Sequence, residues 1–167
     1  MKKFLMLCAV CLALPGAALA ADDMLKSEPH ITLPLAKLMA QACEDLAARE
    51  GYAPVAIAII DQHINLKLFV RQDGVPAGSV EFAQLKARSA AALGIGTLGL
   101  RGHEYSDAEK PMGLTGVDGF TIVPGGKSVT LEDGTRLGGV GVSGAAAEED
   151  EHCAQAAVEA ARTLAGQ

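Results

Sequence analysis

Residues 54–71 read Pro54-Val55-Ala56-Ile57-Ala58-Ile59-Ile60-Asp61-Gln62-His63-Ile64-Asn65-Leu66-Lys67-Leu68-Phe69-Val70-Arg71. Two runs rich in β-branched and other apolar residues, Pro54–Ile60 and Ile64–Val70, flank Asp61-Gln62-His63. So short a link predicts an antiparallel hairpin, because parallel strands need a crossover of about a dozen residues. Helices found elsewhere must then cover the faces of an antiparallel sheet, which is an α+β arrangement.

Upstream, Leu33–Glu50 reads as a helix, with Thr32 as N-cap, Pro34 in the first turn and Gly51 as the stop. Leu35, Leu38, Met39, Ala42, Cys43 and Leu46 fall on one stripe at helical period. Downstream, Arg71–Gly78 reads as a loop, and Ser79 caps a second helix running to about Leu93. Phe82, Leu85, Ser89 and Leu93 share one side of that helix, and Lys86 sits elsewhere. Gly94–Gly144 holds fourteen of the nineteen glycines, and 94–119 reads as a long irregular excursion. Three strands follow at Phe120–Pro124, Ser128–Leu131 and Leu137–Val142, the last two joined by a turn at Asp133-Gly134. A final helix, Ala146–Leu164, has Glu148, Glu149 and Asp150 in its first turn and a stripe of Cys153, Ala157, Ala160, Ala161 and Leu164. The expected order is α-β-β-α-β-β-β-α, a five-stranded, mostly antiparallel sheet with helices.

With 167 residues, half of them hydrophobic, the chain has room for one domain. Lys2-Lys3, the apolar run Phe4–Leu14 and the small-x-small triplet Ala18-Leu19-Ala20 form a signal peptide over 1–20, cut between Ala20 and Ala21. The apolar run is well short of the ~20 residues of a membrane span. Residues 21–167 are then a single exported domain, periplasmic or extracellular. Losing Lys2 and Lys3 moves the formal charge from −6 to −8. An acidic surface without Trp is a poor match for nucleic acid. Cleavage also removes Cys8 and Cys11, leaving Cys43 and Cys153 in an oxidising compartment. The sequence favours two separate buried thiols there, with a single bridge as the alternative.

Several motifs fail in context. Gly94-x-Gly96-x-x-Gly99 follows a helix rather than a strand, and Gly139-x-Gly141-x-x-Gly144 lies too near the end for a dinucleotide fold. His103-Glu104 opens like a zincin helix, but Asp107 stands where the second His belongs. Ser143 lacks the glycine spacing of a nucleophile elbow, and no residue is assigned a catalytic role. A sharper cluster is Asp61, Arg71, Asp73 and Lys86, read either as a solvated rim with an ion pair or as a polar pocket for an anion.

The block Pro54–Asp61, Leu66–Phe69 and Arg71-Gln72-Asp73-Gly74, then Lys86-Ala87 and its Ala-rich helix, is followed by Phe120–Pro124 with Gly125-Gly126. Leu137-Gly138-Gly139-Val140-Gly141-Val142-Ser143-Gly144-Ala145 with Glu149-Asp150 completes an ordered set. Together they resemble the GlcG/HbpS-like family, related to the C-terminal domain of PduO. The resemblance implies a profilin- or PAS-like layered domain, homo-oligomers, haem as ligand and, for some secreted members, a sensor protein as partner. Joined to the signal peptide, it points to a secreted protein that binds haem or a related small ligand, without catalysis and accessory to sensing or haem handling, although a haem-degrading label also exists for the family. The alternative is an enzyme or processing factor for a small organic acid in a carboxylate-utilisation system. For haem iron the candidate ligands are His63, His103 and Met112, with His30 and Tyr105 behind them, and spacing does not choose among them. Arg71, Lys86 and Arg101 are candidate cations for its propionates. The chain departs from the family in its first hairpin, Gln62-His63-Ile64-Asn65, where a small residue and Gly are usual.

Overall fold

The computed structural model describes residues 28–106 and 113–166. The signal segment, its Ala20–Ala21 junction and Met112 lie outside the described residues. In chain order the elements are α1 (Leu33–Glu50), β1 (Ala56–Asp61), β2 (Leu66–Arg71), α2 (Ala77–Leu93), α3 (Thr97–Glu104), a 3-10 turn (Leu114–Gly116), β3 (Gly126–Thr130), β4 (Arg136–Ser143) and α4 (Ala147–Ala165).

The hairpin forms as expected, and the sheet is antiparallel throughout, in the order β2-β1-β4-β3. It has four strands among the described residues, not five. Phe120–Pro124 is not a strand, because its amides are satisfied elsewhere. Phe120 N–H donates to Val117 O (3.2 Å), Thr121 N–H to Ser89 Oγ on α2 (2.8 Å), and Val123 N–H to Thr121 Oγ1 (3.2 Å). Pro124 has no N–H to offer a ladder. The excursion 94–119 is also less irregular than expected, since it holds α3.

Strand alternation sorts the core into two layers. Val55, Ile57, Ile59, Val140 and Val142 face α1 and α4, whereas Ala56, Ala58 and Ile60 face α2. Thr32 caps α1, its Oγ1 accepting Leu35 N–H at 3.3 Å, and Gly51 ends the helix at φ 73°. The buried line of α1 runs through Ala36, Met39, Ala40, Cys43 and Ala47, one step round from the expected stripe, and Leu38 is left exposed. Small residues let α1 and α4 approach closely, with Ala154, Ala157 and Ala161 buried on the α4 side. There Cys43 and Cys153 form a disulfide, with Cα atoms 4.6 Å apart. The alternative left open by the sequence therefore holds, and the favoured pair of free thiols does not.

α2 begins at Ala77 behind Pro76, so Ser79 is inside the helix rather than its cap. Its buried face is Ala83, Lys86, Ala87, Ser89, Ala90 and Ala91, and Phe82 is exposed. Opposite lies a groove made by Gly139 and Gly141 of β4. A Cβ on Gly141 would stand 2.1 Å from Ala83 O, and one on Gly139 2.5 Å from Ala87 O. Helix backbone lies directly on strand backbone, so only alanine-sized side chains fit between them.

Candidate functional site

Asp61 Oδ1 accepts N–H groups from His63 (2.9 Å) and Asn65 (2.9 Å), and Ile64 N–H donates to Asp61 O (3.0 Å). Burial pushes the Asp61 carboxyl up, but hydrogen bonds from Asn65 and His63 outweigh it and hold the group below its usual value. A register shift at Lys67 separates the Ile59–Leu68 and Ile60–Leu66 pairs. The turn itself, closed by Ile64 N–H to Asp61 O and Asp61 N–H to Asn65 O (2.9 Å), wants a left-handed residue before the second strand. That residue is Ile64, at φ 66°, the one positive-φ residue other than glycine among the described residues. A β-branched side chain in that region costs about 1–3 kcal/mol, and such strain concentrates where a side chain must be presented in a fixed direction.

The strained turn forms one wall of a cleft of about 650 Å³. Gln62, His63 and Ile64 line it from the turn, Ala91 and Ala92 from the end of α2, and Thr135, Arg136 and Gly138 from the start of β4 and the residue before it. Register explains the meeting, because Asp61 pairs with Gly138 and so sets the start of β4 beside the β1–β2 turn. Arg136 lies across Gly94, its Nη1 2.8 Å from where a Cβ would be, at the C-terminal end of α2 where a cation is favoured. Glu28 and Pro29 close another side. A second hollow, about 400 Å³, shares Glu28, Gln62 and His63 and adds His30, Asp61 and Lys67. Gln62 Nε2 donates to Glu28 Oε2 at 3.1 Å and lies 3.4 Å from His63 Nε2.

The four charged residues read as one cluster are not gathered together. Asp61 is at the cleft end of β1, while Arg71 pairs with Ala56 at the other end, about 17 Å away along the strand. Arg71 donates to Val75 O at 3.2 Å, and Asp73 is exposed in the loop beyond. Lys86 is 1% exposed, and its Nζ donates to Asp150 Oδ2 and Val142 O, both at 2.8 Å. Burial pushes the Asp150 carboxyl up, more than the hydrogen bond and charge of Lys86 pull it down. Beside this pair, Gly125 N–H donates to Glu151 Oε2 at 2.7 Å, and Lys127 Nζ sits 2.6 Å from Glu151 Oε1. The Lys86–Asp150 pair is thus a structural tie between α2 and α4, and Lys86 is not free to clamp a ligand.

Of the candidate iron ligands, His63 is at the cleft, and His103 is on an exposed face of α3. Arg136, Lys67, Glu28 and Gln62 were missed. Strand register would have brought Arg136 to the turn, but nothing in the sequence ties Glu28 to Gln62, 34 residues away.

The donor set suits haem: an exposed imidazole, an apolar stretch of Ile64, Ala91, Ala92 and Pro29, and the cations Arg136 and Lys67 for carboxylates. The cleft volume lies within the usual range for cofactor sites.

Comparison with known proteins agrees with this architecture. An uncharacterized 15.0 kDa protein in the dhaT-dhaS intergenic region of Citrobacter freundii is 36% identical over 135 residues, 77% of this chain and 90% of that one. The crystal structure of a double mutant of Streptomyces reticuli HbpS superposes with a TM-score of 0.73 at 29% identity, covering 88% of this chain and 96% of that one. A PduOC:Heme complex superposes with a TM-score of 0.69 at 25% identity, covering 79% of this chain and 95% of that one. Residues 31–159 match the family model described as "Haem degrading protein HbpS-like". The chain belongs to the HbpS-like family.

Proposed function

We propose that this chain is an exported haem-binding protein that carries its ligand in the cleft at the β1–β2 turn. The observation that carries the reading is His63, presented on a turn strained at Ile64, beside an apolar wall and the Arg136 cation. The haem complex among its structural relatives supports the choice of ligand. His63 would hold the iron through a ring nitrogen, Ile64 and Ala91 would supply apolar wall, and Arg136 and Lys67 would be the cations for the propionates. Bound haem would supply an iron centre able to change redox state or to signal its own presence. The Asp61 carboxylate is taken up by backbone N–H groups, which suits holding a ligand rather than moving protons.

Lys2-Lys3, Phe4–Leu14 and Ala18-Leu19-Ala20 support export. The family resemblance and exposed apolar side chains such as Leu66 (49% exposed) and Phe82 (45%) support a homo-oligomer. A role beside a sensor protein fits an exported, non-catalytic carrier. Among the described residues no helix is long and apolar enough to cross a membrane.

Hemin titration of the purified protein tests the reading. A saturable Soret shift is expected, and His63→Ala should weaken binding about tenfold or more and change the spectrum. No shift in the wild type overturns the haem reading, and a His63→Ala variant with an unchanged spectrum overturns the ligand assignment.

A further inference from the structure

We propose that Gln62 is a positioning residue for His63, fixing which ring nitrogen carries the proton before iron arrives. This rests on the reading of His63 as the iron ligand. An imidazole coordinates through a nitrogen that carries a lone pair, so a neutral ring can offer only one of its two nitrogens at a time. The hydrogen bonds around the ring therefore decide what a metal meets.

Here those bonds can be read in order. An ionised carboxylate only accepts, so the Gln62 amide atom 3.1 Å from Glu28 Oε2 is its nitrogen, and the orientation of the amide is fixed. That NH2 group has two hydrogens. One goes to Glu28, and the other is the donor for the 3.4 Å contact with His63 Nε2. A proton on Nε2 would set two donors against each other. Nε2 is therefore the acceptor and Nδ1 carries the proton. Gln62 acts as a placeholder, its N–H occupying the lone pair that iron takes over.

Asp61 contributes through the backbone, since its carboxylate fixes His63 N–H at 2.9 Å and holds the turn that sets ring and amide side by side. Glu28 precedes α1, so the N-terminal approach to the domain is part of the device. Both Gln62 and Glu28 line the same two hollows as His63.

The tautomer can be read without haem. Two-bond proton–nitrogen correlation spectra of the 15N-labelled, metal-free full domain, at a pH well above the imidazole range, report which ring nitrogen is protonated. Wild type is expected to show His63 with Nδ1 protonated. Gln62→Glu is nearly isosteric but exchanges donor for acceptor, so His63 should switch to Nε2–H. Gln62→Leu should release the ring to a mixture. Gln62→Leu should bind hemin at least as tightly as wild type, because the N–H that competes with iron for the Nε2 lone pair is gone, whereas a purely structural role predicts that the isosteric Glu leaves the tautomer unchanged. Wild-type His63 protonated on Nε2, or a Gln62→Glu variant with its tautomer unchanged, overturns the proposal. If the tautomers follow but hemin binding ignores His63→Ala, the ligand assignment falls, and with it the role of Gln62 toward iron. The two failures are thereby told apart.

Discussion

Lys86 Nζ lies 2.8 Å from Asp150 Oδ2, across 64 residues of chain, and neither side chain has more than 4% of its surface exposed. The pair joins the middle of α2 to the first turn of α4 through the body of the sheet. Removing one partner leaves the other charge buried and uncompensated. Lys86→Met should therefore destabilise the domain by about 3–5 kcal/mol, and adding Asp150→Leu should recover part of that loss. Denaturant unfolding of the two single variants and the double variant measures the coupling.

Glycines differ sharply in what they tolerate. Gly141→Ala puts a methyl 2.1 Å from Ala83 O and should cost about 3 kcal/mol or more, because two backbones would have to separate. Gly102, inside α3, has nothing within 4 Å of its would-be Cβ. Gly102→Ala should gain about 0.5–1 kcal/mol from reduced chain entropy. Equal effects at the two positions would refute the groove account.

Ile64 holds a conformation that suits glycine, at φ 66°. Ile64→Gly removes strain of about 1–2 kcal/mol along with a partly buried side chain, so the variant should be at least nearly as stable as the parent. It also deletes part of the cleft wall, so hemin binding should weaken while melting temperature holds. A large fall in melting temperature would show that packing, not presentation, keeps isoleucine there.

Asp61 gives the turn a pH dependence. Its folded value lies below 3.8, so its contribution is fully present above that point and is lost as pH falls through the folded value. Carboxyl carbon chemical shifts should give a midpoint under 3.8, with the His63 and Asn65 amide resonances moving in step. A midpoint at or above 3.8 would contradict the two backbone hydrogen bonds.

Cys43 and Cys153 should yield no free thiol in the denatured, unreduced domain. Replacing both with alanine should cost about 4–5 kcal/mol, the entropy expected for a loop of this size. Titration of thiols and denaturant melts check the two statements.

Local rules carried far along this chain, and their failures share a cause. Thr32, Pro34 and Gly51 mark α1 because caps act within a turn or two. The β1–β2 hairpin was legible for the same reason. α2 was placed correctly and turned the wrong way, because its buried face is chosen by Gly139 and Gly141, about fifty residues downstream. With a glycine groove opposite, alanines go inward, Phe82 stays outside, and a lysine reaches through to Asp150. Phe120–Pro124 carries strand-forming residues, yet Ser89 Oγ on α2 takes an amide that a ladder would need. α3 was hidden by Gly99 and Gly102 and by the lack of a side-chain cap. At the cleft His63 was legible as a candidate, but Arg136 and Glu28 reach it only through register and a long-range hydrogen bond.

The disulfide encloses more than two helices. All four strands, with α2 and α3, lie between Cys43 and Cys153, so this stretch of the polypeptide is closed into a covalent ring. A single peptide-bond cut inside that ring opens it without dividing the molecule. The nicked protein keeps both halves of its sheet tethered, and it gains only the mass of one water until a reductant reaches a bond whose two cysteines are 0% exposed.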